Sequence, residues 1–224
     1  MKLEIKSNDV IYWLQDKGIP VYNTHIFLTD YLKIRGIKES DGVFLPRFHE
    51  GYVFIDGANI DKLFKRYIHE ISHGSFIENF YIGKKIADLD KRIYEKECEL
   101  FGDNDITDIY IVTTQELDVK SRKISKNEAM KISKIEFKED KDVFEIDKKE
   151  FDAYLSLSRQ IGLVYSNYLL YMEGFAMLTM EEILKSSFDN SNFSEPYKSG
   201  LESLKTIKEK LGFKGLIEKL HKLK

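Results

Sequence analysis

An α+β fold is the expectation for these 224 residues. Three observations predict it. Stretches rich in β-branched and aromatic residues cluster early, at 21–28, 42–49 and 51–56, and read as short strands. A helical stripe follows at once: Ile60, Phe64, Tyr67, Ile68 and Ile71 recur at three- and four-residue spacing. An apolar segment at 164–186 and an amphipathic tail at 197–224 then close the chain as helices.

Each element has a local reason. Residues 1–5 alternate polar and apolar, as a short strand would. Residues 8–17 read as a helix capped by Ser7 or Asn8 and stopped by Gly18 and Pro20. Strands 42–49 and 51–56 are joined by a turn at Glu50 and Gly51. The helix 59–73 takes Asn59 or Asp61 as its N-cap, because a short polar side chain accepts a bond from an orphan backbone N–H. It should stop at Gly74.

A loop at 75–83, a charged helix at 84–101, a turn at 102–105 and a strand at 108–114 come next. Residues 118–133 are polar and poorly patterned, and 134–147 reads as a hairpin around the turn 139–142. Helices at 148–160 and 164–186, a linker at 188–196 and the tail, broken between 212 and 215, complete the order. Four segments follow within one compact unit. Residues 1–83 carry the sheet and the motif helix, 84–147 are an insertion, 148–187 are helical, and 188–224 are a linker with a basic tail.

Composition narrows the function classes. Hydrophobic residues make up 42% and charged residues 33%, which suits a soluble globular chain. A net charge of −3 gives no bulk field for nucleic acid. The lone Cys98 excludes an internal disulfide framework. The start MKLEIKSNDVIYW lacks the apolar core of a signal peptide, and no apolar run reaches a membrane span, so a cytoplasmic location is expected. No glycine-rich phosphate loop occurs, and no nucleophilic serine or cysteine has a recognisable setting.

The chemistry concentrates in His69-Glu70-Ile71-Ser72-His73, an H-E-x-x-H match among only five histidines. On a helix, residues four apart share a face, so His69 and His73 can reach one Zn2+, and Glu70 can reach a water beside it. Catalytic zinc takes three protein ligands and leaves one position open. The extended pattern with a third histidine is excluded, because Phe76 and Asn79 stand where its glycine and histidine would be.

Two glutamates compete for the third place. Glu97 lies on the charged helix 84–101, where a surface role would equally explain it. Glu173 is the only ionisable carboxylate of the stretch 162–180. An isolated carboxylate in a dry core costs several kcal/mol unless it is paired, protonated or metal-bound, so Glu173 is preferred. A buried ion pair with Arg159 or Lys185 would be the plain alternative. Gly174 and Ala176 are small enough to admit a crossing helix.

With E-G-F-A at 173–176 following H-E-I-S-H at 69–73, the chain resembles the gluzincin branch of the zincin metallopeptidases. The resemblance implies a small mixed sheet, an active-site helix and a helical C-terminal region. It implies zinc on His69, His73 and Glu173, with Glu70 as general base. It also implies an edge strand above the cleft that receives an extended peptide by strand addition. Ala176 and Met177 stand where many relatives carry an acidic residue, and the long gap from His73 to Glu173 implies an insertion.

The expected activity is hydrolysis of a peptide or protein substrate by a zinc-bound water, with Glu70 taking and returning the proton. A second donor must hold the oxyanion. Tyr165, Tyr168 and Tyr171 neighbour Glu173 in sequence, His25 and His49 are further options, and Tyr168 is taken as the candidate. Two rivals stand beside this reading. One is a non-catalytic zinc protein closed by His221 or Cys98. The other is a partner-binding protein using the tail, which from Lys198 onward holds eight Lys against three Glu. A tail packed on its own domain is the plain reading of that segment.

Overall fold

The structure is a computed structural model. It describes residues 3–29, 42–55, 58–101, 110–111, 123–125, 135–136, 145–186 and 195–223. The side chains of 3–6, 97–98, 100–101, 110–151, 165–169 and 195–196 fall outside that description. The fold is mixed α+β and mostly helical, with one three-stranded sheet. It divides into two units. The first holds 1–32, 39–88 and 163–224; the second holds 33–38 and 89–162.

The first unit opens with helix α1, Leu3–Asp16. Its start overrides the strand expected at 1–5, because five alternating residues carry too little pattern to choose a period. Val10 and Leu14, one turn apart, are buried, and the chain leaves the helix at Gly18, whose φ of 74° favours glycine.

Strand β1, His25–Thr29, begins later than expected. Residues 22–24 are instead held as a loop by the carboxylate of Glu78. It accepts from the Tyr22 and Asn23 backbone N–H groups at 2.8 and 3.0 Å and from Thr24 Oγ1 at 2.7 Å. Strand β2, Gly42–Leu45, ends at Pro46, which starts a 3-10 turn. His49 closes that turn at φ 55°, so the reversal precedes Glu50 and Gly51, which pair in β3, Glu50–Phe54.

The sheet order is β1-β3-β2, with β1 parallel and β2 antiparallel to the central β3. Register places Gly42 opposite Val53 and Phe44 opposite Gly51. Since successive strand residues alternate faces, Gly42, Phe44, Gly51, Val53 and Ile26 share one face. Helix α2, Ile60–Asn79, lies against it: a β-carbon built at Gly51 would meet Ile26, Glu70 and Phe44.

Helix α2 starts as expected, with Asn59 Oδ1 accepting from Lys62 N at 2.9 Å. It does not stop at Gly74. A β-carbon there would come within 2.3 Å of Thr24 Oγ1, so this glycine serves close approach of the 22–24 loop rather than a cap. The next turn is anchored by Ser75 Oγ on Ile19 O and Asn79 Nδ2 on Pro20 O. Helix α3, Tyr81–Phe101, follows after the extended Phe80, so the loop expected at 75–83 is helical apart from that one residue.

Helix α4, Lys148–Leu184, runs unbroken through Gly162, where two helices were expected. No atom lies within 4 Å of a β-carbon built at Gly162, so the glycine marks open space rather than a break. Helix α5, Glu195–His221, kinks at Gly212 (φ 70°, ψ 173°), within the expected break. The kink turns its apolar stripe: Leu201, Leu204, Leu216, Ile217 and Leu220 are buried, while Leu211 is 56% exposed.

Phe76, Phe80 and Phe175 form the aromatic centre of this unit, with centroids 5.0–5.6 Å apart. Each buried Phe contributes about 1.5–3 kcal/mol through area. Ion pairs Lys205–Glu181 and Lys208–Glu182 fasten α5 along α4.

The second unit holds two short antiparallel ladders. Strand β4, Tyr110–Ile111, pairs with β6, Ile135–Glu136; β5, Lys123–Ser125, pairs with β7, Glu145–Asp147. Of the strand expected at 108–114, only residues 110–111 are described; 108–109 and 112–114 lie outside the described residues. The hairpin expected at 134–147 is replaced by pairing of its two arms with different strands. No helix among the described residues is long and apolar enough to cross a membrane.

Candidate metal centre

The i, i+4 spacing on α2 brings the two imidazoles of the motif edge to face, with ring centroids 4.6 Å apart. Their Nε2 atoms lie 3.0 Å from each other. Glu173 enters from α4, because Phe175, two residues on, packs on Phe76 and Phe80 of the first unit's core. Its Oε2 stands 3.3 Å from His69 Nε2 and 3.4 Å from His73 Nε2. His73 and Glu173 are buried and His69 is half-buried.

Among the described residues, these three form the group that could hold a metal ion. The triangle can be tested against a tetrahedral cation. Ligands about 2.0–2.1 Å from zinc sit about 3.3 Å apart at tetrahedral angles, and the observed edges are 3.0, 3.3 and 3.4 Å. Glu173 Oε2 is buried and makes no hydrogen bond of proper geometry, although it aims between both rings. A buried carboxylate oxygen left so is costly, and a cation would satisfy it. The donors and their spacing therefore fit Zn2+. His73 Nδ1 is also buried without a hydrogen bond, so on that side the ring is held by packing; Phe44 of β2 lies 6.0 Å from it.

Charge at the centre is uneven. Burial alone would push the Glu173 carboxyl up. The charge of His73, seconded by the close approach of both rings and the charge of His69, reverses this and holds it well below the usual carboxylate range. Glu70 is only 4% exposed, and burial raises it to about 7; His69 opposes that shift and Glu173 adds to it. The two glutamates thus differ in kind. One is held ionised by two imidazoles, and the other is poised to exchange a proton near neutrality.

The structure adds a residue that sequence reasoning missed. The ring of Tyr197 stacks on His69 with centroids 6.1 Å apart. Burial, followed by the charges of Glu173 and Glu70 and by hydrogen bonding toward Glu173, raises the Tyr197 phenol to about 12. The placement follows from glycine packing. A β-carbon built at Gly174 would lie 2.4 Å from Gly200 C, and one at Gly200 would lie 2.0 Å from Leu170 O. So α4 and α5 touch backbone to backbone, and Tyr197, one turn before Gly200, lands beside Glu173. Gly174 does admit a helix, but that helix is α5 rather than α2.

The other candidates stand elsewhere or lie outside the description. Tyr168, Tyr165, Glu97 and Cys98 have side chains outside the described residues. Tyr171 is half-buried on α4 and is not in the triad. His25 is exposed on β1, and His49 closes the 3-10 turn. His221 packs on Phe80, 4.9 Å between centroids, and is not in the triad. Glu173 is paired with the histidines rather than with Arg159 or Lys185. An open groove of about 390 Å³ between α4 and α5 is lined by Glu181, Glu182, Lys205 and Lys208, which pair with one another.

No protein-family model, characterised protein or solved structure matches this chain.

Proposed function

We propose that this chain is a zinc-dependent metallopeptidase of the gluzincin type, acting on peptide or protein substrates in the cytoplasm. One observation carries the proposal: His69 Nε2, His73 Nε2 and Glu173 Oε2 converge to 3.0–3.4 Å, with the carboxylate oxygen otherwise without a hydrogen bond. Beside them stands a buried glutamate raised to about 7, adjacent in sequence to the first histidine.

Zinc held by these three side chains would supply a Lewis acid and lower the pKa of a water toward 7. The protein's own groups do the rest. Glu70 takes the proton of the attacking water and returns it to the leaving amine. Tyr197, as a neutral phenol near neutral pH, donates a hydrogen bond where negative charge develops on the carbonyl oxygen. Phe44 and the sheet wall the centre beside His73, which leaves the half-buried His69 as its more open side. Among the described residues β2 forms one edge of the sheet, and its Gly42 and Phe44 border the centre, so β2 is the strand we assign to the extended substrate.

The test is metal content together with hydrolysis. Protein purified without chelator should carry about one zinc per chain, and His73→Ala or Glu173→Ala should lose it. A mixed peptide library should be cleaved by the wild type, while Glu70→Gln keeps zinc and loses cleavage. Absence of zinc in the wild type, or full cleavage by Glu70→Gln, would sink the proposal. The second reading, a non-catalytic zinc protein, requires a fourth protein ligand, and the triad has three members among the described residues. The tail-mediated partner reading loses support because the tail's apolar stripe is largely buried within its own unit.

A further inference from the structure

We infer that Gly42 and Gly51 are positioning residues, forming a notch in the sheet that sets where the Glu70 carboxylate stands relative to the two histidines. The inference rests on the peptidase reading of the site. The two glycines sit on neighbouring strands and on the same face, Gly42 opposite Val53 and Gly51 opposite Phe44. A β-carbon built at Gly42 would lie 2.7 Å from Glu70 Oε1 and 3.2 Å from its carboxyl carbon. One built at Gly51 would lie 3.0 Å from Glu70 Cβ. Together they flank Glu70 at both the root and the tip of its side chain.

Backbone conformation does not require glycine at either place. Among the described residues the glycines with positive φ are Gly18 and Gly212. Glycine weakens a strand, since it packs nothing and loses more entropy on folding than other residues. Two glycines on adjacent short strands therefore call for a reason, and close approach of another group is one such reason. Glu70 is the group that approaches both, beside Tyr52 O at Gly42 (2.8 Å) and Ile26 Cδ1 at Gly51 (2.5 Å). A methyl at Gly42 must displace Oε1, and a misplacement of about 1 Å in a reacting group costs on the order of 100-fold in rate. The zinc ligands are absent from the nearest contacts of either glycine, so metal binding is separable from this effect.

The experiment is a double-mutant cycle with a spectroscopic readout. Wild type, Gly42→Ala, Glu70→Ala and the double variant are unfolded in urea. Gly42→Ala also brings its methyl 2.8 Å from Tyr52 O, a cost present in both backgrounds. Its total loss of stability should be clearly larger when Glu70 is present than in the Glu70→Ala background. Cobalt(II) is then titrated into wild type, Gly42→Ala and Glu70→Gln. Gly42→Ala should bind cobalt as the wild type does, show a visible spectrum moved toward that of Glu70→Gln, and cleave casein about 100-fold more slowly.

Equal destabilisation in both backgrounds overturns the inference, as does an unmoved cobalt spectrum or unchanged cleavage. If the wild type itself neither binds cobalt nor cleaves, the peptidase reading falls and the positioning role falls with it. A bound metal with an unmoved spectrum overturns the positioning role alone. Should Gly42→Ala fail to fold, Gly51→Ala carries the same test, because its new methyl meets the side chains of Ile26, Glu70 and Phe44 rather than sheet backbone.

Discussion

Replacing Glu70 by Gln should stabilise the metal-free protein above neutral pH while abolishing hydrolysis. The carboxyl rises from 4.5 to about 7 in the folded chain, chiefly because burial disfavours its ionised form. An acid whose folded pKa is raised gives stability that is fully present below pH 4.5. It is lost as the pH rises, because the unfolded chain releases its proton first, and the loss is complete above about 7. At 1.36 kcal/mol per pH unit, the shift corresponds to about 3 kcal/mol at pH 8. Gln keeps the shape of the side chain and removes the charge. The gain of Glu70→Gln over the wild type should therefore be near zero at pH 4.5 and grow to about 3 kcal/mol at pH 8. Urea denaturation of both chelator-treated proteins across pH 4.5–8 measures this difference, in which most other titrations cancel. A gain that stays flat across that range would refute the assignment of a costly buried charge to Glu70.

Three further outcomes follow from the same geometry. Glu173 is depressed, so its contribution is present above pH 4.5 and lost as the pH falls through its folded value; Glu173→Gln should blunt the acid limb of unfolding in the metal-free protein, read by urea midpoints below pH 5. Tyr197→Phe should keep one zinc per chain but lower kcat about 100- to 1,000-fold if its phenol holds the developing oxyanion, measured by metal analysis beside steady-state cleavage. Phe175→Ala should cost about 3–5 kcal/mol and loosen zinc binding, because its ring fastens α4 to Phe76 and Phe80; urea unfolding and competition with a zinc chelator test both halves.

What could be read in advance divides along physical lines. The motif helix was legible because spacing, cap and stripe are local properties of residues 59–73, and Asn59 caps it as its side chain predicts. Glu173 was singled out by cost: a lone carboxylate in an apolar stretch needs a partner, and the histidines stand at 3.3 and 3.4 Å. Tyr197 was not legible, because its place depends on a backbone contact between Gly174 and Gly200 that no local pattern announces. Gly74 misled for a related reason. Glycine stops helices and also admits neighbours, and only the position of Thr24 separates the two uses. The loop at 22–24 read as strand because β-propensity is local, whereas Glu78, which holds that loop, lies some fifty residues away.

The 100-residue interval between His73 and Glu173 has a consequence for biosynthesis. At translation speeds of about 5–20 residues per second, the imidazole pair leaves the ribosome several seconds before the third donor exists. Until then a nascent chain offers a cation only two nitrogens. On the proposed metal reading, capture by all three donors would await synthesis of α4, and a product ending before α4 would lack the Glu173 carboxylate.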